Sequence, residues 1–130
     1  MIFLDTNFLV SFFIEEETDH ERAIKLMESI KNEEKIISKL IIAETINLLN
    51  KKLKVNKDRI GIIYEELKKD YTIIEDSFVF DEAVKKTIEY NKRLPFFDFV
   101  FMSVMEELKI KEIVSFDGHF DLNKNIKRIF

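Results

Sequence analysis

The sequence predicts an α/β protein, a three-layer α/β/α sandwich with a mostly parallel central sheet. Three observations carry this. Short strand-like apolar runs alternate with helix-period segments, the order that β-α units require. The first and fourth strand candidates have the near-continuous apolar character of strands buried on both faces. Two glycines and one proline in 130 residues leave short loops and plentiful helix. That length suits a single domain over residues 1–130.

The elements follow in chain order. Ile2 to Leu4 is an apolar run that ends in Asp5, a buried strand entering a turn. Phe8, Leu9, Phe12 and Phe13 then recur at helical spacing. A helix is predicted from about Asp19 to Lys31, with Ala23, Ile24, Met27 and Ile30 on its apolar face and Thr18 or Asp19 as its cap. Lys35 to Ser38 reads as a second strand. Leu40 to Leu53 reads as a helix with Ile42, Ile46 and Leu49 on one stripe. Asn56 to Lys69 is a further helix, with Ile60, Ile63 and Leu67 inward, and Tyr71 to Ile74 a third strand. Asp81 to Lys92 is helical. Pro95 suits the first turn of a helix carrying the apolar segment Phe96 to Met105. Glu112 to Phe116 is the fourth strand and Ile126 to Phe130 the fifth.

Composition removes several function classes. There is no cysteine, so disulfides and thiolate metal sites are excluded, and a reducing, cytoplasmic setting is expected. No apolar run approaches the ~20 residues that span a bilayer. The opening MIFLDTN has neither the basic lead nor the apolar length of a signal peptide. A net charge of −4 argues against a broadly basic nucleic-acid binder. It leaves nucleic-acid chemistry open, because a bound cation reverses the local field.

Most acids lie in mixed charged stretches and read as solvated surface. Four do not. Asp98 is the lone charge in FFDFVFMSVM, where an ionised carboxylate costs several kcal/mol unless it is paired or bound to a cation. Its bland alternative, a helix-dipole role in the first turn after Pro95, returns only ~0.3–1 kcal/mol. Glu44 sits in ISKLIIAETINLL, on a side shared with Leu40, Ala43 and Asn47; its bland alternative is an ion pair with Lys39 or Lys51. Asp5 ends the first strand and equally suits a helix N-cap. Asp117 ends the fourth strand, where Asp-Gly is ordinary turn chemistry. His119 and Asp121 lie just beyond it. Both are candidate supporting residues, His119 as a proton donor or phosphate contact; the bland alternatives are an exposed loop histidine and a cap by Asp121.

Together these positions say more than each alone. In open parallel sheets, sites form beyond the carboxyl ends of the strands. Asp5 and Asp117 end strands, and Glu44 and Asp98 open helices. Clustered carboxylates raise one another's pKa. A hard divalent ion such as Mg²⁺ or Mn²⁺ relieves that repulsion, and such an ion suits phosphodiester chemistry.

In order along the chain, FLDTN, AETIN, FFDFVFM and SFDGHF resemble the motifs of PIN-domain ribonucleases, and within them the VapC-type toxins. The resemblance implies a PIN-like fold and endonucleolytic cleavage of RNA by metal-activated water, leaving a 5′-phosphate and a 3′-hydroxyl. It implies Mg²⁺ or Mn²⁺ held by Asp5, Asp98 and Asp117, with Glu44 placing the metal or its water. Asn7 and Ser115 match small polar positions near the site. Where the family often has Asp-Phe after the last acid, this chain has His119-Phe120, and Asp121 is off register by two. The toxin-like resemblance further implies an antitoxin partner and a homodimer; Phe8, Phe12, Phe13 and Ile14 offer an apolar stretch for either contact, with core packing as the favoured alternative for at least half of them. Lys51, Lys52, Lys54, Lys92 and Arg93 are candidates to hold RNA phosphates.

Two other classes compete. One is a non-catalytic PIN-like module that binds RNA or protein. The other is an aspartyl phosphohydrolase with Asp5 as nucleophile, in which Asn7 stands where a second Asp is usual.

Overall fold

The computed structural model describes all residues, 1–130. Five strands form one sheet: β1 (Ile2–Leu4), β2 (Lys35–Ser38), β3 (Thr72–Ile74), β4 (Glu112–Val114) and β5 (Lys127–Ile129). The spatial order is β3-β2-β1-β4-β5, and every pairing is parallel. The six α-helices are α1 (Thr6–Phe13), α2 (His20–Ser29), α3 (Lys39–Asn47), α4 (Lys57–Asp70), α5 (Phe80–Glu89) and α6 (Phe96–Leu108). α1 packs against both α2 and α3, α3 packs against α4, and α5 packs against α6, giving the two helical layers expected of a three-layer sandwich.

This topology fixes where a site can form. After β1 the chain builds outward through β2 to β3, then returns to place β4 on β1's other side. Phe3 thus pairs with Ile36 on one flank and Ile113 on the other. The reversal between β1 and β4 leaves a crevice at the carboxyl ends, since the connections leave in opposite directions. β1 is buried throughout, as its run of Ile, Phe and Leu requires. Phe3 meets Phe101 of α6 with ring centroids 5.7 Å apart, tying the central strand to the helix that carries Asp98.

Several sequence expectations shift in detail. Ile24 faces solvent, and α2 instead turns Ala23, Leu26, Met27 and Ile30 inward. The deeply buried stripe of α3 is Ile41, Thr45 and Leu49 rather than Ile42 and Ile46, which are only half-buried. An apolar-only reading skipped Thr45, so the stripe came out rotated. The predicted helix over 40–53 is two structures. After Asn47 the chain widens into a π-helical turn, Leu48–Lys52, where the Leu53 N–H donates to the Leu48 carbonyl at 2.9 Å. Pro95 lies one residue before α6 instead of inside its first turn. The stretch Phe8 to Ile14 is core: Phe8, Phe13 and Ile14 are buried and Phe12 is half-buried, so it is not a free contact surface.

α6 shows how local sequence sets direction. Asp98 to Met105 are all buried, while Glu106 and Glu107 mark its exit to solvent. Lys109 adopts a left-handed conformation, φ 57°, and the Ile110 N–H returns to the Met105 carbonyl at 2.8 Å. This closing turn satisfies helix-end carbonyls and aims the chain into β4.

Candidate active site

Asp5 follows the last residue of β1. Its extended backbone caps α1, and Oδ1 accepts from the Thr6 N–H at 2.8 Å. Its other oxygen accepts from the Ser115 hydroxyl at 2.6 Å. Ser115 is fully buried just past β4, and its Oγ also accepts from the Asp117 N–H at 3.0 Å. One hydroxyl therefore fixes both strand-end acids. Asn7 adds a second strap across the crevice: its Oδ1 accepts from the Phe116 N–H at 3.1 Å.

Glu44 lies on the half-open side of α3, as its spacing predicts, along a pocket lined by Leu40, Ala43, Asn47, Leu48 and Phe97. Its Oε1 accepts from the Thr6 hydroxyl at 3.0 Å. Neither alternative ion pair forms with it; Lys39 pairs with Glu75. Thr6 thus donates its N–H to Asp5 and its hydroxyl to Glu44. Sequence reasoning did not single it out, although it stands inside FLDTN beside the first acid.

Asp98 lies in the first turn of α6 and is 8% exposed. Its Oδ2 is 2.8 Å from Nδ1 of His119, and the same nitrogen is 3.1 Å from Oδ2 of Asp117. Asp117 Oδ1 accepts from the His119 N–H at 2.9 Å, capping a short 3₁₀ turn, Gly118–Leu122. The turn chemistry expected of Asp117 is therefore real, and its second oxygen still faces the cluster. The expectation for His119 as an exposed loop residue does not hold: its ring is about two-thirds covered and bridges two acids. Asp121 points elsewhere. Its carboxylate makes a two-point pair with Arg128, at 2.9 and 3.0 Å.

The electrostatics follow from this packing. Burial pushes the Asp5 carboxyl up to about 7; the Ser115 and Thr6 hydrogen bonds pull the other way, and the charges of Asp98 and Glu44 add to the rise. Burial also raises Glu44, against its bond from Thr6. Asp98 is raised by burial first and by Asp117 next, with His119 opposing both. The recorded ion pairs of Asp98 and Asp117 are with His119 alone. Crowded, raised carboxyls without a lysine or arginine partner are the electrostatic setting a divalent cation relieves. Asp98, Asp117 and His119 present ligand atoms that all lie within 4.8 Å of one another, a group able to hold an ion. Asp5 and Glu44 adjoin that group without being part of it.

Asp76 is the buried acid that the sequence did not flag. Its Oδ2 accepts from the Leu40 N–H at 2.8 Å, capping α3 from the turn after β3. Its role is structural, and it is remote in sequence from the helix that it caps.

Comparison with known proteins agrees with the fold. The structure is similar to the VapC20 toxin of Mycobacterium tuberculosis, described as cleaving the sarcin-ricin loop. The TM-score is 0.81 at 20% identity, over 94% of each chain. It is similar to a toxin–antitoxin complex from Klebsiella pneumoniae, with TM-score 0.70, 16% identity and coverage of 98% and 96%. It is likewise similar to FitAcB from Neisseria gonorrhoeae, with TM-score 0.69, 16% identity and coverage of 100% and 97%. A sequence comparison with curated proteins finds no significant match. At these identities the structural likeness establishes the shared fold. The sequence adds a match to the PIN domain over residues 2–125, which runs from β1 to just before β5 and takes in all four acids. The chain therefore belongs to the PIN domain family.

Proposed function

We propose that residues 1–130 act as one nuclease unit, a metal-dependent endoribonuclease that is the toxin of a toxin–antitoxin pair. The observation that carries the reading is the convergence of Asp5, Glu44, Asp98 and Asp117 at the carboxyl edge of the sheet, with three of the four held above the ordinary carboxylate range. Family membership and the toxin neighbours support the same reading.

The residues fit a divalent cation. Asp98 and Asp117 present oxygens to a common point, and Asp5 presents a carboxylate oriented by two donors. When bound, Mg²⁺ or Mn²⁺ supplies Lewis acidity and a water acidic enough to attack phosphorus. The protein's own groups do the rest. Thr6 and Ser115 hold Asp5 in one orientation. Glu44, fixed by the Thr6 hydroxyl and raised by burial, is suited to accept a proton from the attacking water. Lys52 lines a groove shared with Asn7, Phe116 and the acids Glu17 and Asp19, and is the group there that can hold a phosphate of the RNA backbone. The expected products are a 5′-phosphate and a 3′-hydroxyl.

An antitoxin is proposed to cover the acidic cluster. The exposed stripe Phe80, Val84 and Ile88, one face of α5, is proposed to pair two copies. No helix is long and apolar enough to cross a membrane.

The test is direct. Purified protein with Mn²⁺ should cut RNA, and Asp98→Asn should reduce the rate at least a hundredfold. Undiminished cleavage by the variant refutes these roles. RNA binding with neither cleavage nor Mn²⁺ binding turns the reading to a non-catalytic module.

A further inference from the structure

The chain has two histidines, and only one reaches the acids. His20 is engaged elsewhere, its Nδ1 2.8 Å from the Ser11 carbonyl. His119 sits in the 3₁₀ turn with its backbone N–H fixed to Asp117 and its neighbour Phe120 fully buried. That anchorage aims Nδ1 into the gap between Asp98 and Asp117.

We infer that His119 is a nitrogen ligand of the metal site, which makes the site prefer a transition-metal ion such as Mn²⁺ over Mg²⁺. The inference rests on the reading of these acids as a divalent-metal site and adds the identity of a ligand. Spacing supports it. Two ligand atoms about 2.1 Å from an octahedral ion and at right angles to it lie about 3.0 Å apart. Nδ1 is 2.8 Å from the Asp98 oxygen and 3.1 Å from the Asp117 oxygen, so each oxygen already stands at the spacing of a vertex next to the nitrogen.

Chemistry supplies the preference. Mg²⁺ favours oxygen and keeps its waters, whereas imidazole nitrogen strengthens binding to first-row transition ions. Asp121, a nearby oxygen donor, pairs with Arg128 instead. The ring therefore fills a position that a carboxylate would leave indifferent between the two ions. The competing account is a protonated ring that only neutralises two acids. It predicts no metal–nitrogen bond.

The experiment uses the full chain with one equivalent of Mn²⁺ as probe, read by pulsed electron paramagnetic resonance for echo modulation from ¹⁴N. Wild type and His20→Asn should show modulation, and His119→Asn should lose it while binding Mn²⁺ about tenfold or more weakly. His119→Asp should bind both ions and lower the Mn²⁺-to-Mg²⁺ affinity ratio by about tenfold. Since there are only two histidines, modulation in wild type and in His20→Asn identifies the ligand even if a His119 variant does not fold. Bound Mn²⁺ without modulation, or modulation that survives His119→Asn, overturns the inference and leaves the metal site standing. Failure of wild type to bind Mn²⁺ overturns both.

Discussion

Replacing Asp5 by Asn should stabilise the metal-free protein by a margin that grows as pH rises through the window from 3.8 to about 7. In the fold this carboxyl has its pKa raised from 3.8 to about 7, chiefly by burial. The folded chain therefore keeps a proton that the unfolded chain has already released between those values. Stability falls as pH rises through that window and levels off above it. Between pH 5 and pH 8 the loss is about two pH units at 1.36 kcal/mol each, about 2.7 kcal/mol, because the slope fades around the folded value of about 7. Asparagine does not titrate, and it caps a helix as well as aspartate does, so α1 should keep its start. The gap between variant and wild type should thus widen by about 2.7 kcal/mol between pH 5 and pH 8, or about 10 °C in midpoint for a chain of this length. The assay is thermal melting in chelator at the two pH values. Adding Mn²⁺ at pH 8 should then narrow the gap, since an ion at a hundred times its Kd returns about 2.7 kcal/mol to wild type. An unchanged gap between pH 5 and pH 8 would refute the account of Asp5 as a carboxylate held at a desolvation cost.

Three further outcomes are open to equilibrium unfolding in urea. Thr45→Val should stabilise by about 1 kcal/mol, because the Thr45 hydroxyl is buried with no partner and valine keeps its shape. Asp76→Ala should destabilise by about 1–2 kcal/mol through loss of the cap on Leu40. Lys109→Gly should stabilise by up to about 1 kcal/mol, because φ 57° suits glycine better than a residue with a Cβ.

The acids that looked most anomalous in sequence did not prove the most buried. Asp98 and Glu44 stood out as lone charges in apolar helices, and both reach the cluster. Asp5 looked like an ordinary cap, yet it caps and is also more deeply buried than Asp98. Capping uses one oxygen and leaves the other to the crevice, so the two readings were never exclusive. The parallel sheet followed from alternation, because parallel strands need helical crossovers; the spatial order β3-β2-β1-β4-β5 did not. What escaped the sequence depends on distant partners. His119 is placed by a turn whose geometry appears only when Phe120 is buried beside α6. Asp121, in the 3₁₀ turn, is taken by Arg128, seven residues on in β5. Asp76 caps a helix 36 residues before it. None of these pairings leaves a periodic trace.

The bond from Ser115 to Asp5 joins positions 110 residues apart. At 5–20 residues per second, a ribosome needs on the order of 10 s to travel from one to the other. During that interval β1 has at most one of its two flanking strands, and Asp5 lacks the partner that orients it. The acids are therefore assembled across a wide separation in sequence, by a long-range closure of the slow-forming kind. A chain still being made, or one broken before residue 112, holds the first acids without the last. Under the proposed reading, a competent nuclease exists only once β4 and Asp117 have been made and docked on β1, so an inhibitor has until then to be in place.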